Sequence, residues 1–221
     1  ASEILSLSLC VIKNSLNAQY AINLDNKVKF LKTHSAFWKS NKGIFTNNDN
    51  TLGVIHIVRD PRNVITSLKK HFGKDSYESA LKFMQDERKF LGSQDYKEEN
   101  DVPTLISSWS NNYKSWKKFE KNYFLIKYED LIVNPNKEFL KLINFLKTIT
   151  NLEFDKMKIE KAIIDCNFEN LKEQENQNGF VEASKESDQN FFSLGPNNNW
   201  RKFLDNDIKT KIENSFRDEM K

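Results

Sequence analysis

Cysteine is scarce: two in 221 residues, Cys10 and Cys166, far apart in mostly apolar patterns. They read as buried free thiols of a reducing compartment rather than as a disulfide or a nucleophile. No apolar run approaches the ~18 residues of a membrane-spanning helix, and no charged-apolar-small leader is visible. The chain starts at Ala1, without methionine, so its true N-terminus is expected upstream. Charge of one sign is also lacking: 34 basic against 31 acidic residues leave a formal net charge of +3. Nothing global therefore argues for nucleic acid, and an anion site has to be local. There are no internal repeats. There is no GxxxxGK[ST] run either, which speaks against a P-loop kinase. The one carboxylate near a strand end that could serve magnesium is Asp60, and it is better used as a helix cap.

What is present is 38% hydrophobic and 29% charged, enough for one domain with a sizeable core. Ile4–Ile12 reads as a buried helix and Val28–Leu31 as a short buried strand running into Lys32-Thr33-His34. Val54–Val58 is the clearest strand, β-branched and punctuated by Arg59-Asp60-Pro61. A helix follows at once, with Asp60 as N-cap, Pro61 at the first helical position and Gly73 past the end. Tyr77–Leu91 reads as an amphipathic helix, and Leu105, Trp109, Tyr113 and Trp116 recur at helical spacing as a core stripe. Phe124–Lys127 is a third strand, leading through Tyr128-Glu129-Asp130-Leu131 to Pro135. Later helices carry Phe139, Leu142, Ile143 and Leu146, then Ile159 to Cys166, then Ile208, Ile212 and Phe216. The polar stretch from Gln174 to Trp200 shows little periodicity and reads as a long loop, of the kind that is functional or disordered.

Strands alternating with helices predict an α/β fold, three layers deep, with a central parallel sheet flanked by helices. Ligands of such folds bind beyond the C-terminal strand ends. Three of those ends carry chemistry here: Lys32-Thr33-His34, Arg59 and Tyr128. The fork of Arg59 suits phosphate, and Ser67 sits where its hydroxyl faces the same edge. The bland alternative is an arginine paired with a carboxylate and a neutral helix serine. Of three histidines, His56 lies mid-strand as a satisfied core residue, and His71 sits at a helix C-terminus where positive charge is welcome. His34 differs. It follows a strand, and the cation of Lys32 favours the neutral imidazole that a general base requires.

Taken in order, Lys32-Thr33-His34, Arg59-Asp60-Pro61-Arg62-Asn63-Val64 with Ser67, and Tyr128-Glu129-Asp130-Leu131 resemble the signature of cytosolic-type sulfotransferases. Phe168-Glu169-Asn170-Leu171, Phe191-Phe192, Gly195 and Trp200-Arg201 resemble that family's later segments. The resemblance runs from about Phe30 to Phe216, and it rests on order and spacing more than on any single motif. It implies a P-loop nucleotide-kinase-like fold over residues 1–221 as a single domain. It implies 3′-phosphoadenosine 5′-phosphosulfate (PAPS) as donor, its bisphosphate product PAP, a small acceptor bearing a hydroxyl or amine, no metal, and a cytoplasmic setting. By the same resemblance His34 takes the acceptor's proton and Lys32 stabilises charge on the bridging oxygen of the leaving nucleotide. Arg59 and Ser67 hold the 3′-phosphate, and Tyr128 contacts adenine.

Two departures stand out. Nothing matches the family's N-terminal phosphosulfate loop, whose backbone N–H groups and lysine cradle the 5′-phosphosulfate. Residues 1–9 look like the helix that would follow it, so the chain is expected to be missing the first strand and that loop. In addition, Ser193 and Leu194 stand where the family usually has arginine and lysine, the arginine reaching the 3′-phosphate. Gly195 keeps its backbone N–H for that group, and Arg201 or a lysine is a possible substitute. The rival is a truncated or degenerate relative that binds adenosine 3′,5′-bisphosphate, or a partner, without catalysis. The acceptor pocket is expected from the loops Ser35–Thr46 and Ser93–Val102, with Phe37 and Trp38 either its wall or core.

Overall fold

The computed structural model describes residues 16, 18–25, 27–41, 43–92, 104–119, 121–180, 182 and 190–221. The expected helix at Ile4–Ile12, with Cys10, lies outside the described residues, as does the loop Ser93–Val102. In chain order the elements are β1 (Lys39–Ser40), β2 (Gly43–Ile44), β3 (Val54–Val58), α1 (Pro61–His71) and α2 (Tyr77–Gln85). There follow β4 (Phe90–Leu91), β5 (Thr104–Leu105), α3 (Trp109–Lys117) and β6 (Tyr123–Lys127). Helices α4 (Tyr128–Val133), α5 (Pro135–Ile149), α6 (Lys156–Asp165), α7 (Phe168–Asn178) and α8 (Asn206–Ser215) follow, with short 3-10 turns at Gly195–Asn197 and Trp200–Lys202 before α8. The chain divides into two compact units. One comprises Ala1–His56 and Asp86–Phe124, the other Ile57–Gln85 and Leu125–Lys221.

Strands β3 and β6 pair with each other. At their starts the Val54 N–H donates to the Asn122 carbonyl at 2.8 Å. Past their ends the Asp60 N–H meets Glu129 Oε1 at 3.1 Å, so the two strands run parallel. Parallel strands joined through intervening helices require such a crossover, and the expected parallel α/β arrangement is present. The two remaining pairs, β1 with β2 and β4 with β5, are antiparallel.

In the first unit, Val28–Leu31 is not a buried strand. Residues 27–38 carry no strand pairing, and Phe30 and Leu31 are each 63% exposed. Apolar and β-branched content favours extension, but a strand also needs a ladder partner, and no described residue pairs with this one. The segment enters the interior only at Ser35 and Ala36. There the Trp116 indole donates to the Ser35 carbonyl at 2.9 Å, and the Ala36 N–H donates to the Leu105 carbonyl at 2.8 Å. Phe37 packs on Trp116 and Phe119, and Trp38 packs on Phe45.

Two helix boundaries shift from the periodic pattern for local reasons. Helix α2 stops at Gln85 rather than Leu91, because Asp86 forms its own turn. Its carboxylate accepts the Arg88 N–H at 2.9 Å and its carbonyl the Lys89 N–H at 3.2 Å, which competes with helical bonding. Leu91 joins β4 instead. Leu105 likewise belongs to β5, and α3 starts at Trp109, where the Ser108 hydroxyl caps the Asn111 N–H. Of the aromatic stripe, Trp116 is buried and Trp109 and Tyr113 half-buried.

The second unit has the larger core. Ile65 of α1, Ala80, Leu81 and Met84 of α2, and Ile208, Ile212 and Phe216 at α8 are buried where these three helices pack together. Each fully buried aliphatic side chain of this kind contributes roughly 1.5–3 kcal/mol by leaving water. Ile143 and Leu146 bury the inner face of α5. Cys166 is exposed, not buried, because it is the C-cap of α6 and stands past its apolar stripe. The region after Gln174 also begins later than its composition suggests, since α7 continues to Asn178. It stops at Gly179, whose φ of +72° suits glycine.

Candidate functional site

The end of β3 places Arg59 immediately before the N-terminus of α1. Asp60 caps that helix, accepting the Arg62 N–H at 2.9 Å, and Pro61 takes the first helical position. Two arginines close in sequence then meet opposite fates. Arg62 is saturated: it reaches both Asp60 oxygens, donates to Glu213 at 2.9 Å, and lies 4.4 Å from the Trp200 ring centroid. The Asp60 hydrogen bond leads in raising its pKa. Arg62 is a structural tie between α1, α8 and the Trp200 turn.

Arg59 is not saturated. Its Nη1 donates to Ser67 Oγ at 3.1 Å, and its plane lies 4.5 Å over the Tyr128 ring. Its Nε is buried without a hydrogen-bond partner, and it forms no ion pair among the described residues. Burial lowers its pKa, while the nearby Tyr128, Glu129 and Asp60 act in the opposite direction. A guanidinium does not give up its proton inside proteins, so this is a partly desolvated cation short of an anion.

Ser67 completes the arrangement. It lies eight residues after Arg59, and the helix turns its hydroxyl back to the strand end. Ser67 Oγ also accepts from Asn198 Nδ2 at 2.9 Å. With two donors on the oxygen, its own proton is directed elsewhere. Arg59 and Ser67, paired already in the sequence, form one contact group with Tyr128.

The Trp200 turn is held on α1 by buried amides. Asn63 Oδ1 accepts the Trp200 N–H at 3.0 Å, and Asn63 Nδ2 donates to Glu129 Oε1 at 3.2 Å. Asn198 bonds the Asn63 carbonyl at 3.0 Å and Thr66 Oγ1 at 2.6 Å. Gly195, at φ +48°, abuts the Phe168 ring so closely that a Cβ there would overlap it. The Gly195 carbonyl accepts the Asn198 N–H at 3.1 Å. Ser193 is half-buried, and its N–H turns back to the Phe191 carbonyl at 3.0 Å. The carboxylate of Glu175 is the anchor for this loop, accepting the N–H groups of Phe191 and Phe192 at 2.6 and 2.8 Å.

Asn198 and Glu175 were missed in the sequence. A buried asparagine within Asn197-Asn198-Asn199 looks like any turn asparagine. Glu175 did carry a signal, since it shares the helical row of Phe168 and Leu171, where a carboxylate needs partners.

His34 and Lys32 belong to the first unit, whereas Arg59, Ser67, Tyr128, Ser193 and Gly195 belong to the second. Both His34 and Lys32 are exposed. The backbone around His34 is fixed: its carbonyl accepts from Asn112 Nδ2 at 3.3 Å, and the next residue, Ser35, is buried. His56, expected to be satisfied, pairs through Nδ1 with the Tyr123 hydroxyl at 2.7 Å. Burial, with Lys117 nearby, lowers its pKa to about 4. No cluster of metal-ligating side chains occurs among the described residues, and none of their helices is long and apolar enough to cross a membrane.

Comparison with known proteins follows the same lines. Among solved structures, the fold is similar to mouse sulfotransferase SULT7A1 complexed with PAP. The TM-score is 0.60 at 18% identity, over 86% of this chain and 64% of that one. It is also similar to retinol dehydratase in complex with androsterone and inactive cofactor PAP (TM-score 0.51, 15% identity, 76% and 47% covered). A second retinol dehydratase structure, with retinol and PAP, gives a TM-score of 0.53 at 17% identity, covering 76% and 48%. The chain thus spans from about half to 64% of these proteins, and at such identities the likeness shows the fold alone. No curated protein sequence matches. The sulfotransferase-domain profile, however, matches residues 3–221, nearly the whole chain. The chain belongs to the sulfotransferase domain family.

Proposed function

We propose that this protein is a cytoplasmic sulfotransferase that binds PAPS and sulfonates a hydroxyl or amine of a small acceptor. The observation that carries this reading is Arg59: a desolvated cation with a buried, unpartnered Nε, bonded to a serine whose proton points elsewhere. A phosphate against the guanidinium supplies a counter-charge and acceptors for its N–H groups and for the Ser67 hydroxyl, so the residues present fit a phosphorylated nucleotide. When bound, the donor supplies an activated sulfuryl group on a phosphate leaving group.

Arg59 and Ser67 hold the 3′-phosphate, joined by the Gly195 N–H. Ser193 is a shorter neutral donor at the position where the family usually has an arginine, so Arg59 carries more of the binding here. Tyr128 supports Arg59 from below with its ring face and contacts the adenine. His34 is the general base, receiving the acceptor's proton on its imidazole as the nucleophile attacks. Lys32 places a cation where negative charge develops on the leaving side. Both units belong to a single sulfotransferase domain, and no metal takes part.

The test is transfer of labelled sulfate from PAPS to a panel of hydroxyl and amine acceptors by the complete protein. Transfer that His34→Ala abolishes while PAP still binds supports the reading. Tight PAP binding without transfer supports the non-catalytic relative instead, and normal turnover of His34→Ala removes the role given to His34.

A further inference from the structure

We infer that Asn198 is a positioning residue. It sets the direction in which Ser67 presents its hydroxyl proton, and through it the preference for a nucleotide bearing a 3′-phosphate over one lacking it. This rests on the nucleotide reading of Arg59 and Ser67 given above.

The Asn198 side chain is buried, and its orientation is fixed by what surrounds it. One end lies 3.0 Å from the Asn63 carbonyl oxygen, which can only accept, so that end is the nitrogen. The other end, the oxygen, lies 2.6 Å from Thr66 Oγ1. A flipped amide would set two oxygens against each other at Asn63. Nδ2 therefore directs one proton at the Asn63 carbonyl and the other at Ser67 Oγ, 2.9 Å away.

That second proton matters because of what a helix serine otherwise does. Its hydroxyl commonly donates back to the carbonyl four residues earlier, which for Ser67 is that of Asn63. Here that oxygen already faces Asn198 Nδ2 at 3.0 Å and Thr66 Oγ1 at 2.8 Å. Asn198 thus occupies the position to which Ser67 would donate, and it fills one lone pair of Ser67 as well. Arg59 Nη1 fills the other, at 3.1 Å. The remaining vertex of the hydroxyl is its proton, and it meets no acceptor among the described residues. The same guanidinium that bonds Ser67 through Nη1 has its Nε without a partner. A hydroxyl proton without an internal acceptor, on a serine already bonded to an incompletely paired guanidinium, is suited to an anionic oxygen cluster. Removing Asn198 releases the Asn63 carbonyl, and Ser67 turns its proton inward to it.

A purely structural role for Asn198 would weaken every ligand of this site alike. A positioning role acts on the 3′-phosphate alone. The experiment is titration of the complete protein and its variants with PAP and with adenosine 5′-phosphate, which lacks the 3′-phosphate. Wild type prefers PAP. Asn198→Ala and Asn198→Asp are expected to cut that preference by about tenfold or more, as for loss of one charge-assisted hydrogen bond, with affinity for adenosine 5′-phosphate kept within about twofold. Ser67→Ala, which deletes the proton itself, is expected to lose the same preference, and adding Asn198→Ala to it changes nothing further. An Asn198→Ala variant that weakens both nucleotides equally, or that adds fully to Ser67→Ala, overturns the inference. So does a Ser67→Ala variant that keeps the preference, whether or not the Asn198 variants fold. A wild type that shows no preference for PAP overturns the nucleotide reading itself, which is a separate result.

Discussion

Arg59 donates through Nη1 to the Ser67 hydroxyl at 3.1 Å while its own Nε stays buried and unpaired. Three residues on, Arg62 has every direction filled by Asp60, Glu213 and the Trp200 ring. The contrast makes Arg62 a tie within the fold and leaves Arg59 for the proposed phosphate, and it sets up distinguishable variants.

Asp60→Ala removes a helix cap and the main partner of Arg62 together. A stability loss of about 1–2 kcal/mol is expected from cap and partly exposed ion pair. Asp60→Asn keeps a capping oxygen and recovers most of the cap but not the charge pair. Urea unfolding of the two variants separates the contributions.

Glu175→Gln tests the anchor of the loop before Gly195. The carboxylate accepts from two consecutive N–H groups, and a carboxamide offers only one oxygen to them. Leaving one donor unsatisfied is expected to lower stability by roughly 1–3 kcal/mol, read as a lower thermal midpoint. An unchanged midpoint removes Glu175 from this role.

Gly195→Ala places a Cβ against the Phe168 ring on a backbone at φ +48°. Overpacking and left-handed strain together are expected to cost about 1–3 kcal/mol. Phe168→Leu in the same chain relieves the overlap and recovers part of the loss, and full additivity of the two changes contradicts the contact.

His56 gives a pH dependence with a definite sign. Its folded pKa is depressed to about 4 from an ordinary 6.5, so the folded state resists protonation. The unfolded chain then binds more protons between those values, and stability falls as pH drops from 6.5 toward 4. His56→Phe is expected to flatten stability over that window, with the Tyr123 hydroxyl left to find water. A slope equal to wild type places the dependence elsewhere.

Much of this was legible in the chain because local signals agreed. At Val54–Pro61 a β-branched run, an N-cap aspartate and a first-turn proline all specify one strand-to-helix junction, and it forms as expected. The eight-residue spacing of Arg59 and Ser67 followed from that junction. Where signals were single they misled. Val28–Leu31 has strand composition but no described pairing partner, and Tyr77–Leu91 keeps helical periodicity through the turn that Asp86 imposes. Asn198 was beyond reach for another reason. Its importance lies in which groups surround it, Ser67 and Asn63 from more than a hundred positions upstream. No local pattern encodes that.

The most direct test is calorimetric titration of PAP into the complete protein and its Arg59→Ala variant. Arg59 is the only cation in contact with Ser67 among the described residues, so affinity is expected to fall by more than about tenfold, with the thermal midpoint little changed. PAP binding of equal strength in the two proteins would contradict the phosphate site at the end of β3.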